Sequence, residues 1–183
     1  LAKLSEIVSK NNASGFYAQT IRLAASKANT NGMADLSQVL YRKLASYYRD
    51  IMNDMARSID VERRILRIDP HCIESLEVLI GWYQSKEEWG ALRSAYRQRI
   101  AAGGSVEEKA VLWLKIADLS RHKLDDLEGA FDAYAEILQM DENNADARQG
   151  ISELTGSNFG PEVVIRKLRL ELKLASEEKQ PEI

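Results

Sequence analysis

His71 and Cys72 stand side by side, the one place in the sequence where an imidazole and a thiol could cooperate. A nucleophilic cysteine needs a base turned towards it and a third group to hold that base. Adjacent residues seldom achieve this geometry and no orienting residue is evident, so the pair is expected to form an inter-helix turn. The other histidine is His122, which leaves zinc without the three or four ligands it takes at compatible spacing. Asp141-Glu142-Asn143 opens like a calcium loop, yet Asp146 stands where the loop needs Gly and Ser152 where it needs Glu. Gly103-Gly104-Ser105 shares only composition with a phosphate-cradling loop, lacking the spaced glycines and the Lys-Ser/Thr pair. Two adjacent glycines read as a turn. The acidic pairs Glu87-Glu88, Glu107-Glu108 and Asp125-Asp126 fall near expected helix starts, where carboxylates favour the positive end of the macrodipole. Neighbouring residues on a helix point to different faces, which argues against a catalytic dyad. No catalytic, metal or cofactor site is expected, and the chain is not expected to be an enzyme.

The elements that carry these residues follow from composition. The chain has 183 residues, 45% of them hydrophobic and 29% charged, with 3 prolines and 10 glycines. That balance favours long helices, whose interiors exclude Gly and Pro most strongly. A net charge of −3 gives no support to nucleic-acid binding, which requires neutralising several phosphates. The lone Cys72 cannot staple the chain internally, so an oxidising compartment has no support and a cytoplasmic setting is favoured. No apolar run approaches the roughly 20 residues that span a bilayer, so membrane insertion is not expected. The sequence begins at Leu1 without an initiator Met, and is expected to be a fragment of a larger protein.

Apolar residues recur at helical spacing almost throughout. Leu1, Leu4, Ile7 and Val8 mark a first helix, and Ser14 caps a second that carries Phe16, Tyr17, Ile21, Ala24, Ala25 and Ala28. Asp35 opens a third, with Leu40, Tyr41, Leu44, Ala45 and Tyr48 facing inward. Met55, Ile59, Ile65 and Leu66 mark a fourth that stops at Asp69-Pro70. Further helices are expected from Ile73 to about Gln84, from Glu87 or Glu88 to Ala102, from Val106 to His122 and from Leu127 to Met140. A last pair covers Ala145 to Leu154 and Pro161 to Glu177, with Pro161 in the first turn, where its missing N–H costs nothing. Residues 179–183 form a frayed tail.

Ile65-Leu66-Arg67-Ile68-Asp69-Pro70 aligns with Ile137-Leu138-Gln139-Met140-Asp141-Glu142 at an offset of 72 residues, two units of 36. Tyr41, Leu44, Ala45 and Tyr48, then Leu76, Leu79, Ile80 and Tyr83, then Trp113, Ile116 and Ala117 set out the first helices of three units. Their second helices carry Ser58 and Ile65, Leu92 and Tyr96, and Ala130, Tyr134 and Ile137. In these residues the chain resembles the tetratricopeptide repeat (TPR) family. Glu62, Arg99 and Ser120 depart from that pattern, and two units carry an extra residue in the internal turn, near Met52-Asn53-Asp54 and Lys123-Leu124-Asp125. The resemblance implies an all-α, right-handed superhelical stack of antiparallel hairpins in one domain, with units near 1–34, 36–70, 73–104, 106–144 and 145–178. Stacking follows from elementary physics, since one hairpin cannot bury both its faces. Trp113, Tyr83, Tyr96 and Tyr134 are expected to fill gaps left by small residues of neighbouring units.

The resemblance further implies a non-catalytic protein-interaction scaffold, whose first helices line a concave surface for a peptide or protein. By position that surface takes Arg42, Ser46 and Arg49, then Glu77, Gly81 and Gln84, then Asp118, Arg121 and His122. The Lys and Asn set of the family's carboxylate-clamp members is absent, so capture of a chaperone tail is not expected. On the last helix, Val163, Val164, Ile165, Leu168, Leu170, Leu172, Leu174 and Ala175 spread over a broad arc. That helix is expected to pack on two sides, which makes self-association or intramolecular docking the alternative role.

Overall fold

A computed structural model describes residues 13–156 and residue 169. The expected helices at 1–8 and 161–177, with the tail at 179–183, lie outside the described residues. Among the described residues there are eight α-helices and no strand. They are α1 (Ala13–Thr30), α2 (Ala34–Ser46, continued by a π-helical turn over Tyr47–Ile51), α3 (Met55–Ile68), α4 (Ile73–Ser85), α5 (Trp89–Ala101), α6 (Val106–His122), α7 (Leu127–Met140) and α8 (Ala145–Gly156). Among the described residues no helix is long and apolar enough to cross a membrane.

The chain divides after Lys86 into two compact units. In the first, α1 packs on α2, α2 on α3 and α3 on α4. In the second, α5 packs on α6, α6 on α7 and α7 on α8. Short connections between packed neighbours make each pair an antiparallel hairpin. The division falls in the turn between α4 and α5, inside the stretch 73–104 expected from the sequence as one unit.

Both units are held by apolar side chains at helical spacing. Leu44, Ala45, Ile65 and Leu76 in the first, and Ile116, Ala117, Ala130 and Ile137 in the second, are almost wholly out of water. Each buried Leu or Ile contributes about 1.5–3 kcal/mol of transfer free energy. Tyr41, Tyr47 and Tyr48 complete the first core. Tyr96 and Tyr134 are buried as expected, whereas Tyr83 and Trp113 are only half-buried. Phe16 and Tyr17 are exposed, at 74% and 38%.

The 72-residue offset is written into the backbone. Asp69 N–H donates to the Ile65 carbonyl (2.8 Å), and Asp141 N–H to Ile137 (2.8 Å). The Asp69 carboxylate accepts from His71 N–H (3.0 Å), as Asp141 accepts from Asn143 N–H (3.1 Å). The internal turns match at the same offset. Asp54 N–H reaches the Tyr48 carbonyl and Asp126 N–H the Ser120 carbonyl, each at 2.8 Å. The residue before each, Asn53 or Asp125, holds a left-handed φ of 49° or 51°, a region in which Asn and Asp are enriched. These residues supply the extra length seen in the sequence. Asp54 and Asp126 then cap α3 and α7 by accepting from Arg57 N–H (2.9 Å) and Gly129 N–H (2.8 Å).

Candidate functional site

The first-helix surface expected to bind begins on α2. The periodicity that buries Tyr41, Leu44 and Ala45 leaves Arg42 exposed and Ser46 and Arg49 half-buried. Arg42 Nη2 lies 3.4 Å from Cys72 Sγ and 3.6 Å from Glu74 Oε2. Its pKa is raised, first by the contact with Cys72 and also by the carboxylates of Glu74 and Glu62. Glu74 is held below its usual value by its own backbone N–H, then by Cys72 and Arg42. Arg49 donates from Nε to Asp50 (3.0 Å) and from Nη2 to Ser46 Oγ (3.4 Å). Arg42 and Arg49 are thus each paired with neighbouring side chains.

On α4, Glu77, Gly81 and Gln84 are exposed while Leu76, Leu79 and Ile80 turn inward. On α6, Asp118 is exposed and faces His122, with Oδ1 and Nε2 separated by 3.6 Å. Arg121 donates to Glu153 Oε2 on α8 (2.8 Å), and that carboxylate raises its pKa. Gln149 also donates to Glu153 (2.9 Å). Within the first unit Arg42, Ser46 and Arg49 share α2, and Glu77 and Gln84 share α4. Asp118 and Arg121 share α6 in the second unit.

The residues that could do chemistry make the following contacts. Cys72 is 3% exposed while His71 faces solvent, so thiol and imidazole share no cleft. The Cys72 thiol lies 3.4 Å from Ser75 Oγ and 3.4 Å from Glu74 Oε2. Glu107 is held below its usual value by its own backbone N–H and then by Ser105. Glu108 and Ser105 form a reciprocal cap, with Glu108 N–H donating to Ser105 Oγ (3.2 Å) and Ser105 N–H to Glu108 Oε2 (3.1 Å). Its signature, Ser followed three residues later by Glu, stands in the sequence beside the expected glycine break. Asp35 proves to lie in the first turn of α2, with Met33 at the cap position and no side-chain cap. Among the described residues no cluster of His, Cys, Asp and Glu could hold a metal ion.

Glu62, out of pattern in the sequence, is buried and accepts from Ser75 Oγ at 2.7 Å. Sequence reading misses this pair because the two residues sit on different helices. Ser75→Ala would remove the donor and leave a buried carboxylate less satisfied, which is expected to cost about 1 kcal/mol. Urea denaturation should register that loss, and Ser75→Ala with Glu62→Leu should recover it.

No family model matches the chain, and no curated protein matches it. Among solved structures the chain is similar to one described as "Crystal structure of MamA", at 18% sequence identity and a TM-score of 0.43, over 85% of this chain and 97% of that one.

Proposed function

We propose that the chain is a non-catalytic protein-interaction scaffold, in which tetratricopeptide-like hairpins stack as one right-handed superhelical array and the first helices offer a concave face to a peptide or protein. The observation that carries the reading is the pre-ordered arginine set. Arg42, Arg49 and Arg121 are each held by a neighbouring carboxylate, while the opposite faces of α2 and α6 form core. A partner meeting such side chains loses little entropy in ordering them. The equivalence of turns at an offset of 72 residues supports the repeat-array part of the reading. Ser46, Glu77, Gln84 and Asp118 complete the proposed surface.

The test is affinity capture from native lysate, comparing the chain with Arg42→Gln, Arg49→Gln, Arg121→Gln. Neutral glutamine is chosen because a glutamate at 121 would oppose Glu153, and at 42 would oppose Glu74. Each charge-assisted contact contributes about 1.5–3 kcal/mol, so the triple variant should hold its partner at least tenfold more weakly. Melting temperature must stay within a few degrees. Equal capture by both chains would move the site off this surface. If neither captures a partner and mass rises with concentration, the role is self-assembly or docking within a larger protein.

A further inference from the structure

A second candidate surface lies in the first unit, lined by none of the residues assigned to binding above. α1 and the π-helical turn that ends α2 bound an open groove of about 520 Å³. Tyr47 and Tyr48 line it, 7% and 4% exposed, with ring centroids 6.1 Å apart. A π-helical turn is rare and recurs at functional sites. Leu23 and Met52 give the groove apolar walls that water still reaches, at 63% and 37% exposed.

Two arginines stand in the same groove, and Tyr48 organises both. Arg22 Nη2 donates to the Tyr48 hydroxyl (2.9 Å), and the Arg57 guanidinium lies over the Tyr48 ring, 5.8 Å from its centroid. Among the described residues none that lines the groove is a carboxylate. Arg57 is partly offset by Asp54 (3.2 Å). Among the described residues no carboxylate lies within ion-pair reach of Arg22. The second unit resolves the same problem differently. There Arg93 reaches Ser120 and is neutralised by Asp126, and these residues are the 72-residue equivalents of Tyr48 and Asp54. In the first unit the place of Ser120 is taken by a tyrosine, and Asp54 turns to Arg57 instead. The positive charge of Arg22 thus faces a groove.

We infer that this groove binds an acidic peptide segment of a partner protein, with carboxylates on Arg22 and Arg57 and an apolar side chain against Leu23 and Met52. A planar guanidinium presents five N–H donors in a fork that fits a carboxylate, and the Tyr48 contact occupies one donor of Arg22. Residues 1–12 of this chain, with Lys3 and Lys10 against Glu6, carry the wrong sign for the groove.

The probe is a displayed library of random 12-residue peptides selected on the immobilised full chain, followed by fluorescence anisotropy with the best sequence labelled with fluorescein. Enriched sequences should carry Asp or Glu beside an apolar residue. Binding should weaken at least tenfold in Arg22→Gln, Arg57→Gln, weaken in Leu23→Ser, and fall as salt is raised. Leu23 is a solvent-facing residue, so that variant keeps the fold and tests the apolar wall. The Arg42→Gln, Arg49→Gln, Arg121→Gln chain should bind the peptide unchanged. No enrichment, enrichment of basic or uncharged sequences, or equal binding by the Arg22→Gln, Arg57→Gln chain would overturn the inference. Loss of binding only in the first-helix triple variant would also overturn it, while supporting the scaffold reading.

Discussion

Gly150→Val is expected to destabilise the second unit by about 3 kcal/mol, at the upper end of what overpacking a core costs. Gly150 lies on α8 against the Tyr134 ring of α7. A Cβ added there would fall on the ring, within 2.6 Å of both Cε1 and Cε2. An aromatic ring cannot bend aside as the end of a lysine can, so helix or ring must shift. Glycine inside a helix costs about 1 kcal/mol relative to alanine, so this glycine is retained against its local propensity. Gly150→Ala should therefore lose less than Gly150→Val, through partial compensation by propensity. The decisive measurement is the same pair of changes made in a Tyr134→Ala background. With the ring gone, Gly150→Ala should become neutral or stabilising. An unchanged cost in both backgrounds would show that contacts other than the ring decide it.

Asp126→Ala is expected to cost about 2 kcal/mol, of which the lost helix cap supplies about 1 and the remainder comes from the stranded Arg93, discounted for solvent screening. The discount is needed because 37% of the Asp126 side chain remains in water. Its carboxyl is held below the usual 3.8, first by the Gly129 N–H and next by Arg93. A depressed folded pKa gives stability that is present above the unfolded value and is lost as pH falls through the folded one. The contribution should thus be complete at neutral pH and fade only below about pH 4. Asp126→Asn keeps a capping oxygen without the charge, so it should recover much of the cap while lacking this acid-side loss. Thermal melts at pH 7 and pH 3 on the three chains separate the two contributions. A native chain losing no more than Asp126→Asn on acidification would remove the charge from the account.

Helix positions were legible because two signals agree along most of the chain. Apolar residues recur at helical spacing, and Asn29 to Gly32, Asp69-Pro70, Gly103-Gly104 and Asp141 to Asn144 break it where the helices end. The long repeat was legible in Ile65 to Pro70 against Ile137 to Glu142, and the matching hydrogen bonds of Asp69 and Asp141 give it a physical basis. Burial was legible only in part. Helical spacing assigns Phe16 and Trp113 to an apolar face but does not tell how far that face is covered. Phe16 proves exposed and Trp113 half-buried.

Side-chain partners between helices were not legible. The resemblance gives the candidate arginines a position on the first helices but no partners; Arg42 lies 30 residues from the thiol it touches, and Arg121 32 residues from its carboxylate. Such pairings depend on how helices dock, which periodicity along one helix does not encode. The groove beside Tyr48 escaped for the same reason, since Arg22 lies on α1 and Arg57 on α3.

The pairs Glu62–Ser75 and Tyr134–Gly150 occupy comparable α3–α4 and α7–α8 contacts. At the offset of 72, Tyr134 stands for Glu62, Ala147 for Ser75 and Gly150 for Val78. The two contacts are therefore not interchangeable. If α4 docked on α7, the Tyr134 ring would meet the branched side chain of Val78 instead of a gap. If α8 docked on α3, Glu62 would find Ala147 where it needs a hydroxyl. Repetition gives a folding chain many near-correct ways to pair its hairpins, and these mismatched keys would penalise the wrong ones, adding chemistry to connectivity in favour of the native order.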